Sequence, residues 1–427
     1  MKKLLYVCLD GLGDEPVPEL DGRTPLEAAP TPALDALASR GRTGVVVTVG
    51  EGIAPESDIA VFAILGYDPR GEHPGRGVVE AVGSDVEFRD GDLAYRVNFA
   101  TGDWPQIIDR RVRRDLSSEE SETLAAEVSE RLALPRATFT LKATVEHRGS
   151  LVIRADEGAL SAEVTNTDPA YRKEGTLGVA LETFEPVVAR CEPLQDTDEA
   201  QHAAELTNRF VEGAARILDL SAVNAERRRN GKLPGNLILT RDGGDHLPEL
   251  QDIRSRFGSD WGCFVEMPVE RGIAKMLGMH PVAAPRLAID APFDVAVEQY
   301  AGWAALAVDA LSGYDALYVH IKGPDVPAHD GRAEDKRDVI AAIDAGFFSE
   351  VLSSIDPAST IVAVTADHAT SCVRKAHTAD PVPLVVCGGG VSSDGSTSFG
   401  EHACSTGSLG LMRGVDILPH LARLAAT

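Results

Sequence analysis

The chain has 427 residues, a formal net charge of −25 and 44% hydrophobic residues. That length fits about two or three domains, and the apolar content is enough for large buried cores. The acidity excludes general nucleic-acid or membrane-surface binding, which needs basic patches, and it means that a phosphate ligand must be captured by metal ions and a concentrated set of arginines. The six cysteines are dispersed without CxxC spacing, as expected of reduced thiols in a cytoplasmic protein. Asp10 and Asp14 interrupt the N-terminal apolar run before a secretory core forms, and no run approaches the roughly 18 apolar residues of a membrane span.

KLLYVCL, ending at Asp10-Gly11, reads as a buried first strand with Asp10 at its carboxyl end; taken alone, Asp10 is equally a turn aspartate before glycine. RTPLEAAPTPALDALASRG contains a helix. Thr31-Pro32 supplies its cap and first position, Leu34 and Leu37 its apolar face, and Gly41 its stop. VVVTVGEGIAPESDIAVFAILGYDP gives a strand, a Gly/Pro loop and a second helix, with Ser57 at the N-terminus of that helix. A hydroxyl there is ordinarily an N-cap. The N–H groups of a helix start also favour a phosphate, and a serine beside a divalent metal can ionise and attack phosphorus.

HPGRGVVEAVGSDVEF reads as Gly-rich turns carrying His73 and Arg76. Short strand-like runs then appear (VEFRD, LAYRVNFAT, TFTLKATVEH, SLVIRA and SAEVTN) around one basic patch, DRRVRRD. The patch is either a solvated surface run or a set of guanidinium forks that captures anions. Residues 86–190 therefore read as an inserted α+β domain, a substrate-binding lid, within a core made of residues 1–85 and 191–427. In that core DEAQHAAELTNRFVEGAARIL is a helix, NLILT a strand ending at Arg241, CFVEMPVERGIAKMLGM a strand and a helix, and EQYAGWAALAVDALSG and KRDVIAAIDAGFFSEVL further helices. Such alternation predicts an α/β fold, a mostly parallel sheet with helices on both faces.

The last third concentrates the chemistry. YDALYVHI runs up to Asp325 and His329, TIVAVTA runs into Asp367-His368, and His377 precedes the apolar run PVPLVV. Ligands bind outside the carboxyl ends of strands in open α/β sheets, and Asp and His suit borderline divalent metals. Each residue is weak evidence alone. Together Asp10, Ser57, Asp325, His329, Asp367, His368 and His377 offer donors at one sheet edge for two divalent ions with open positions, as two-metal phosphoryl transfer needs. The donor set suits Mn, Zn, Co or Mg.

The chain resembles the archaeal-type, cofactor-independent (2,3-bisphosphoglycerate-independent) phosphoglycerate mutases of the alkaline phosphatase superfamily. The segments that carry the resemblance are LDGLGDEP, GRTPLEAAPTP, SDIAVFAILGYDP, GRGVVEA, YRVNFAT with IDRR, TDPAY, the stretch from Asn224 to Arg241, HIKGPDVPAHDG, and ADHATSC with KAHTADPVP. They span nearly the whole chain in order. The resemblance implies an alkaline-phosphatase-like core with an inserted domain, and a small phosphorylated metabolite as partner. It implies that Asp10, Ser57, Asp367 and His368 hold one metal and Asp325, His329 and His377 the other. Ser57 would be the nucleophile that carries the phosphoryl group between 3- and 2-phosphoglycerate, without 2,3-bisphosphoglycerate. Arg110 and Arg111 would bind substrate, with Arg96, Asn98, Arg227 and Arg241 as further candidates. Three places depart from the family pattern: Glu56 beside the serine, Ala369 and Ser371 on either side of Thr370 after the Asp-His pair, and residues 283–303. The alternatives are a phosphatase or phosphonate-processing relative with the same metals, and a silent metabolite-binding protein that need not keep the donor set. The oligomeric state is left open.

Overall fold

The computed structural model describes residues 2–175, 177–181, 183–288 and 291–427; Ile289 and Asp290, within the divergent segment 283–303, lie outside it. Met1–Glu72, Leu250–Glu266 and Ile273–Thr427 form one compact unit, and His73–Glu249 with Met267–Gly272 forms a second.

In the first unit the strand Lys3–Leu9 is apolar and buried at almost every position, as a strand covered on both faces must be. It pairs in parallel with Ala316–Ile321 on one side and Thr360–Thr365 on the other. Trp261–Phe264 and His280–Pro281 continue the sheet in parallel beyond Ala316–Ile321. Val382–Gly388 runs antiparallel to Thr360–Thr365 and is followed by Arg42–Val47 and Gly410–Arg413. The expected mostly parallel sheet is therefore present, with eight strands among the described residues. Its register pairs Leu9 with Ile321 and Cys8 with Thr365, so the three central strands end together. Asp10 and the segments that follow Ile321 and Thr365 leave from that shared edge.

The helix expected around Leu34 and Leu37 spans Pro32–Arg40, with both leucines buried and Gly41 at its C-cap. Its cap differs from expectation. Thr31 makes no side-chain cap bond. The backbone N–H groups of Ala33 and Leu34 donate instead to the Asp344 carboxylate, at 3.1 and 2.7 Å. A carboxylate distant in sequence thus satisfies the orphan donors of the first turn.

The second unit is larger than the insertion expected at 86–190. Leu93–Asp103 is its central strand, pairing antiparallel with Arg148–Ala155 and with Leu237–Gly244. Leu237–Gly244, expected in the parallel core sheet, therefore belongs here. The helix Asp198–Asp219 belongs here as well: Ala203, Phe210, Val211, Ala214 and Leu218 share one hydrophobic cluster with Tyr95, Val97 and Phe99. The boundaries fall at His73 and Glu249 because these partners, remote in sequence, complete the sheet and its core. VEFRD and SAEVTN form no strands.

The turns expected at HPGRGVVEAVG are instead largely a helix, Arg76–Gly83, whose Val78 and Ala81 cover Ala94 and Val152. Gly83 is there for close approach. A Cβ on it would lie 1.7 Å from the Pro268 carbonyl oxygen, and one on Gly272 would lie 1.9 Å from that of Val79. Two helices thus meet backbone to backbone through glycines. Gly83→Ala is expected to destabilise the protein by about 1–3 kcal/mol, the usual cost of overpacking. Urea unfolding of the two proteins measures this, and an unchanged midpoint would refute the close-contact argument.

Candidate functional site

Strand ends bring the acidic residues of the first unit together. Asp10 follows Lys3–Leu9, Asp367 follows Thr360–Thr365, and Asp325 opens the helix Asp325–Asp330 that follows Ala316–Ile321. That helix places His329 one turn on, its Nε2 3.4 Å from Asp325 Oδ1. His377, on the short strand Ala376–Thr378, sets its Nε2 3.6 Å from the same oxygen. His368 Nε2 lies 3.3 Å from Asp367 Oδ2 and 3.6 Å from Asp10 Oδ1. The rings of His368 and His377 stack with centroids 3.8 Å apart.

Ser57 is the first residue of the helix Ser57–Ile64, and Glu56 holds the N-cap position. The ordinary capping role therefore does not apply to Ser57. Its Oγ lies 3.1 Å from His368 Nε2. All seven donors expected at the sheet edge thus come together in this unit. Asp10, Asp367 and His368 form one group of potential ligands, and Asp325, His368 and His377 a second. His368 faces both groups, whereas the resemblance placed it in one; His329 stands beside the second.

The electrostatics show why this arrangement suits cations. Asp10 Oδ1 and Asp367 Oδ2 are buried without hydrogen-bond partners. Burial, then the neighbouring Asp367 and Asp325 carboxylates, push Asp10 well above the usual carboxylate range, against the pull of Lys322, whose Nζ is 3.0 Å from Asp10 Oδ2. Burial also opposes ionisation of Asp367, but His368 and His320 hold it well below its ordinary value. His377 is pushed up to about 9 despite burial, by its bond to Asp325 and by the charge of Glu56. Glu56, the residue that departs from the family pattern, thus acts on His377. His377 Nδ1 lies 2.8 Å from the Pro55 carbonyl oxygen and His329 Nδ1 3.2 Å from that of Lys375, which leaves each Nε2 edge turned toward Asp325. Crowded buried carboxylates, imidazoles with oriented edges and orphaned oxygens fit divalent metal ions.

Several supporting residues were not foreseen. Lys336 is fully buried and donates to the Gly13 carbonyl, the Asp14 carboxylate and the Thr370 carbonyl at 2.9, 3.0 and 2.9 Å. It binds the loop after the first strand to the segment after Asp367-His368. The sequence signal was a lysine on the apolar face of an amphipathic helix, in line with Ile340 and Ile343. His320 and Lys322 stand in the segment already singled out for Asp325, where their closeness to Asp10 depends on strand pairing alone.

The second unit holds a cationic face. Along Leu93–Asp103, Tyr95, Val97 and Phe99 point into the core, and Arg96 and Asn98 take the opposite side. Arg96 pairs in register with Arg241 on one neighbouring strand and Ser150 on the other, and Asn98 pairs with Arg148. The Glu80 carboxylate accepts from Arg76 at 2.9 Å and lies 3.3 Å from Arg96. Burial, then the charges of Arg241 and Arg76, push Arg96 down to about 9. Burial likewise lowers Arg111, which feels Arg114, Arg110 and Arg241. Arg241 stacks on Tyr171 with its guanidinium carbon 3.8 Å from the ring centre, and its Nε has no hydrogen-bond partner; nor has Asn98 Oδ1. The TDPAY motif explains itself here: Asp168 accepts from Arg110 Nε and Nη2 at 2.7 and 2.6 Å, and Tyr171 supports Arg241. Arg227 has other work. It is buried, donates to the Leu233 carbonyl and to Glu120 at 2.7 Å, and pairs with Asp115. Its guanidinium is used within the fold, contrary to the substrate role expected for it.

A family model described as 2,3-bisphosphoglycerate-independent phosphoglycerate mutase matches residues 38–224. The 2,3-bisphosphoglycerate-independent phosphoglycerate mutase of Aeropyrum pernix is 42% identical over 433 residues, covering 99% of this chain and 100% of the relative. That of Methanopyrus kandleri is 37% identical, covering 99% of this chain and 96% of the relative. Among solved structures, the cofactor-independent phosphoglycerate mutase of Thermoplasma acidophilum is 34% identical with a TM-score of 0.66, covering 100% of both chains. A protein of Pyrococcus horikoshii has a TM-score of 0.80 at 28% identity, covering 100% of this chain and 97% of that one.

Removing one partner of a buried ion pair strands the other. Lys336→Met is therefore expected to lower stability by about 3–5 kcal/mol. The double variant with Asp14→Leu is expected to recover part of that loss in the same urea titration.

Proposed function

The chain belongs to the 2,3-bisphosphoglycerate-independent phosphoglycerate mutase family, and on that premise we propose that it interconverts 3-phosphoglycerate and 2-phosphoglycerate with Ser57 as the phosphoryl carrier. The observation that carries the proposal is the Ser57 hydroxyl at a helix start, 3.1 Å from His368 Nε2 and beside two groups of metal-ligand type. Asp10, Ser57, Asp367 and His368 would hold one divalent cation, and Asp325, His329 and His377 the other. When bound, such cations lower the pKa of a hydroxyl and offset charge on a transferring phosphoryl group.

In the first step Ser57 Oγ attacks phosphorus in line. The bond from phosphorus to the 3-oxygen of the substrate breaks, the serine loses its proton, and the 3-oxygen of glycerate gains one. In the second step the 2-hydroxyl of the retained glycerate attacks the phosphoserine, the bond from phosphorus to Ser57 Oγ breaks, and the proton lost by the 2-hydroxyl restores the Ser57 hydroxyl. The helix-start N–H groups at Ser57 favour the negative phosphoryl oxygens. The lid role expected of the insertion is extended to the whole second unit, because phosphoserine must be kept from water for a mutase to outrun hydrolysis. We assign recognition of the substrate's carboxylate and phosphate to Arg96, Asn98, Arg111 and Arg241, with Arg110 held ready by Asp168. The six cysteines, all free and buried, support the cytoplasmic placement.

Purified protein supplied with 3-phosphoglycerate and Mn²⁺, without 2,3-bisphosphoglycerate, is expected to form 2-phosphoglycerate and little free phosphate, and to stop with chelator. Ser57→Ala is expected to reduce turnover to background while the variant remains folded. Free phosphate as the main product would identify a phosphatase on this scaffold, and normal turnover by Ser57→Ala would end the phosphoserine mechanism.

The arginines separate into two classes. Arg241→Gln removes a charged donor from the cationic face, and KM for 3-phosphoglycerate is expected to rise about 10- to 100-fold with metal content unchanged. Arg227→Met is expected to lower the unfolding midpoint and to leave KM near that of the parent protein. Steady-state kinetics and urea unfolding of both variants distinguish the roles, and the reverse pattern would overturn the assignment.

A further inference from the structure

We propose that Thr370 is the positioning residue that ties the two donor groups together, so that binding of both divalent cations depends on its hydroxyl. The proposal rests on the two-cation reading above. Thr370 is fully buried on the short strand Ala369–Ser371, opposite His377. Its Oγ lies 2.7 Å from Asp325 Oδ1 and 3.0 Å from His368 Nδ1. A hydroxyl has one proton to donate, and an ionised carboxylate can only accept. The Thr370 proton therefore goes to Asp325, and His368 Nδ1–H donates to the Thr370 oxygen. The Nε2 edge of His368 is then the ligating edge, and it is the edge that faces Ser57, Asp10 and Asp367. One side chain thus sets the orientation of a donor in the first group and of a donor in the second.

The surroundings hold this hydroxyl in place. The Thr370 N–H donates to the Gly13 carbonyl at 2.9 Å, and Lys336 donates to the Thr370 carbonyl at 2.9 Å. The loop after the first strand and a buried ammonium therefore clamp its backbone from both sides. Gly11, at φ +63°, leaves the space for the bond to Asp325: a Cβ there would lie 2.8 Å from both Asp325 Oδ1 and Thr370 Oγ. Partners that orient ligands from behind are worth roughly 10–100-fold in metal affinity when removed.

The test is Mn²⁺ titration of the metal-free full-length protein, followed by the electron paramagnetic resonance signal of free Mn²⁺. Chelator-treated samples are unfolded in urea alongside to show that each variant is folded. The parent protein is expected to take up two Mn²⁺. Thr370→Val is expected to weaken both binding steps by roughly 10–100-fold and Thr370→Ser to restore them. Gly11→Ala, which displaces the hydrogen-bonded pair without removing a donor, is expected to act like Thr370→Val and serves if the valine variant does not fold. Parent affinity at either step in a folded Thr370→Val or Gly11→Ala protein overturns the coupling. Failure of Thr370→Ser to restore binding overturns the role of the hydroxyl. Uptake of fewer than two Mn²⁺ by the parent protein overturns the two-cation reading itself, and this inference with it.

Discussion

Three carboxylates confined at one sheet edge are the constraint on which the first unit depends. Asp10 and Asp367 are almost wholly buried, and Asp325 shares their company. Like charges so placed repel and lose hydration, which no folded chain tolerates without compensation. Compensation is built around them: Lys322 beside Asp10, imidazoles around Asp325 and Asp367, and the backbone N–H groups of Gly11 and His368 donating to Asp367 Oδ1 at 3.1 and 3.0 Å. It remains incomplete at Asp10 Oδ1 and Asp367 Oδ2. The sheet makes this affordable, because three parallel strands in register end at one level and hold the charges rigidly.

Behind that cluster lies a second layer whose work is geometric. Lys336 joins the Gly13–Asp14 loop to Thr370, and Asp14 in turn accepts from the Cys372 N–H at 3.1 Å. The divergent residues after Asp367-His368 fit this layer. Ala369 bridges to Leu12 and Gly13, and Ser371 donates to Glu15 at 2.6 Å. These two departures therefore fall on residues that secure the loop, whereas the third residue, Glu56, acts through its charge on the proposed ligand His377.

The second unit presents the inverse problem, several guanidiniums drawn together in an acidic chain. Glu80, Asp168 and Tyr171 answer part of it by fixing Arg76, Arg96, Arg110 and Arg241 in place. The Nε atoms of Arg96 and Arg241 make no hydrogen bond and are held by the charges of Glu80 and Asp242, at 3.3 and 3.7 Å. A surplus of oriented positive charge is what the proposed recognition of a carboxylate and a phosphate requires. Arg227 shows that proximity in sequence to such a set is no guide to membership. It is more deeply buried than Arg96 and is enclosed by Asp115, Glu120 and a carbonyl.

The amino-acid sequence by itself determined the strands Lys3–Leu9, Ala316–Ile321 and Thr360–Thr365, because a continuous apolar run ended by Asp or Gly leaves few other conformations. It also placed Asp10, Asp325, Asp367 and His368 just beyond their ends, and with them most of the proposed donor set. Tertiary structure alone decided the rest. The second unit reaches from His73 to Glu249 because Leu237–Gly244 and Asp198–Asp219 complete a core whose other half lies more than a hundred residues earlier, a pairing no local pattern encodes. Asp344 caps a helix it is far from in sequence, and Glu80 bridges arginines on a helix and a strand. Thr370 spans two donor groups for the same reason. Hydrogen bonds and ion pairs depend on distances of about 3 Å, which only the folded chain sets, whereas periodicity reports no more than the face on which a residue lies.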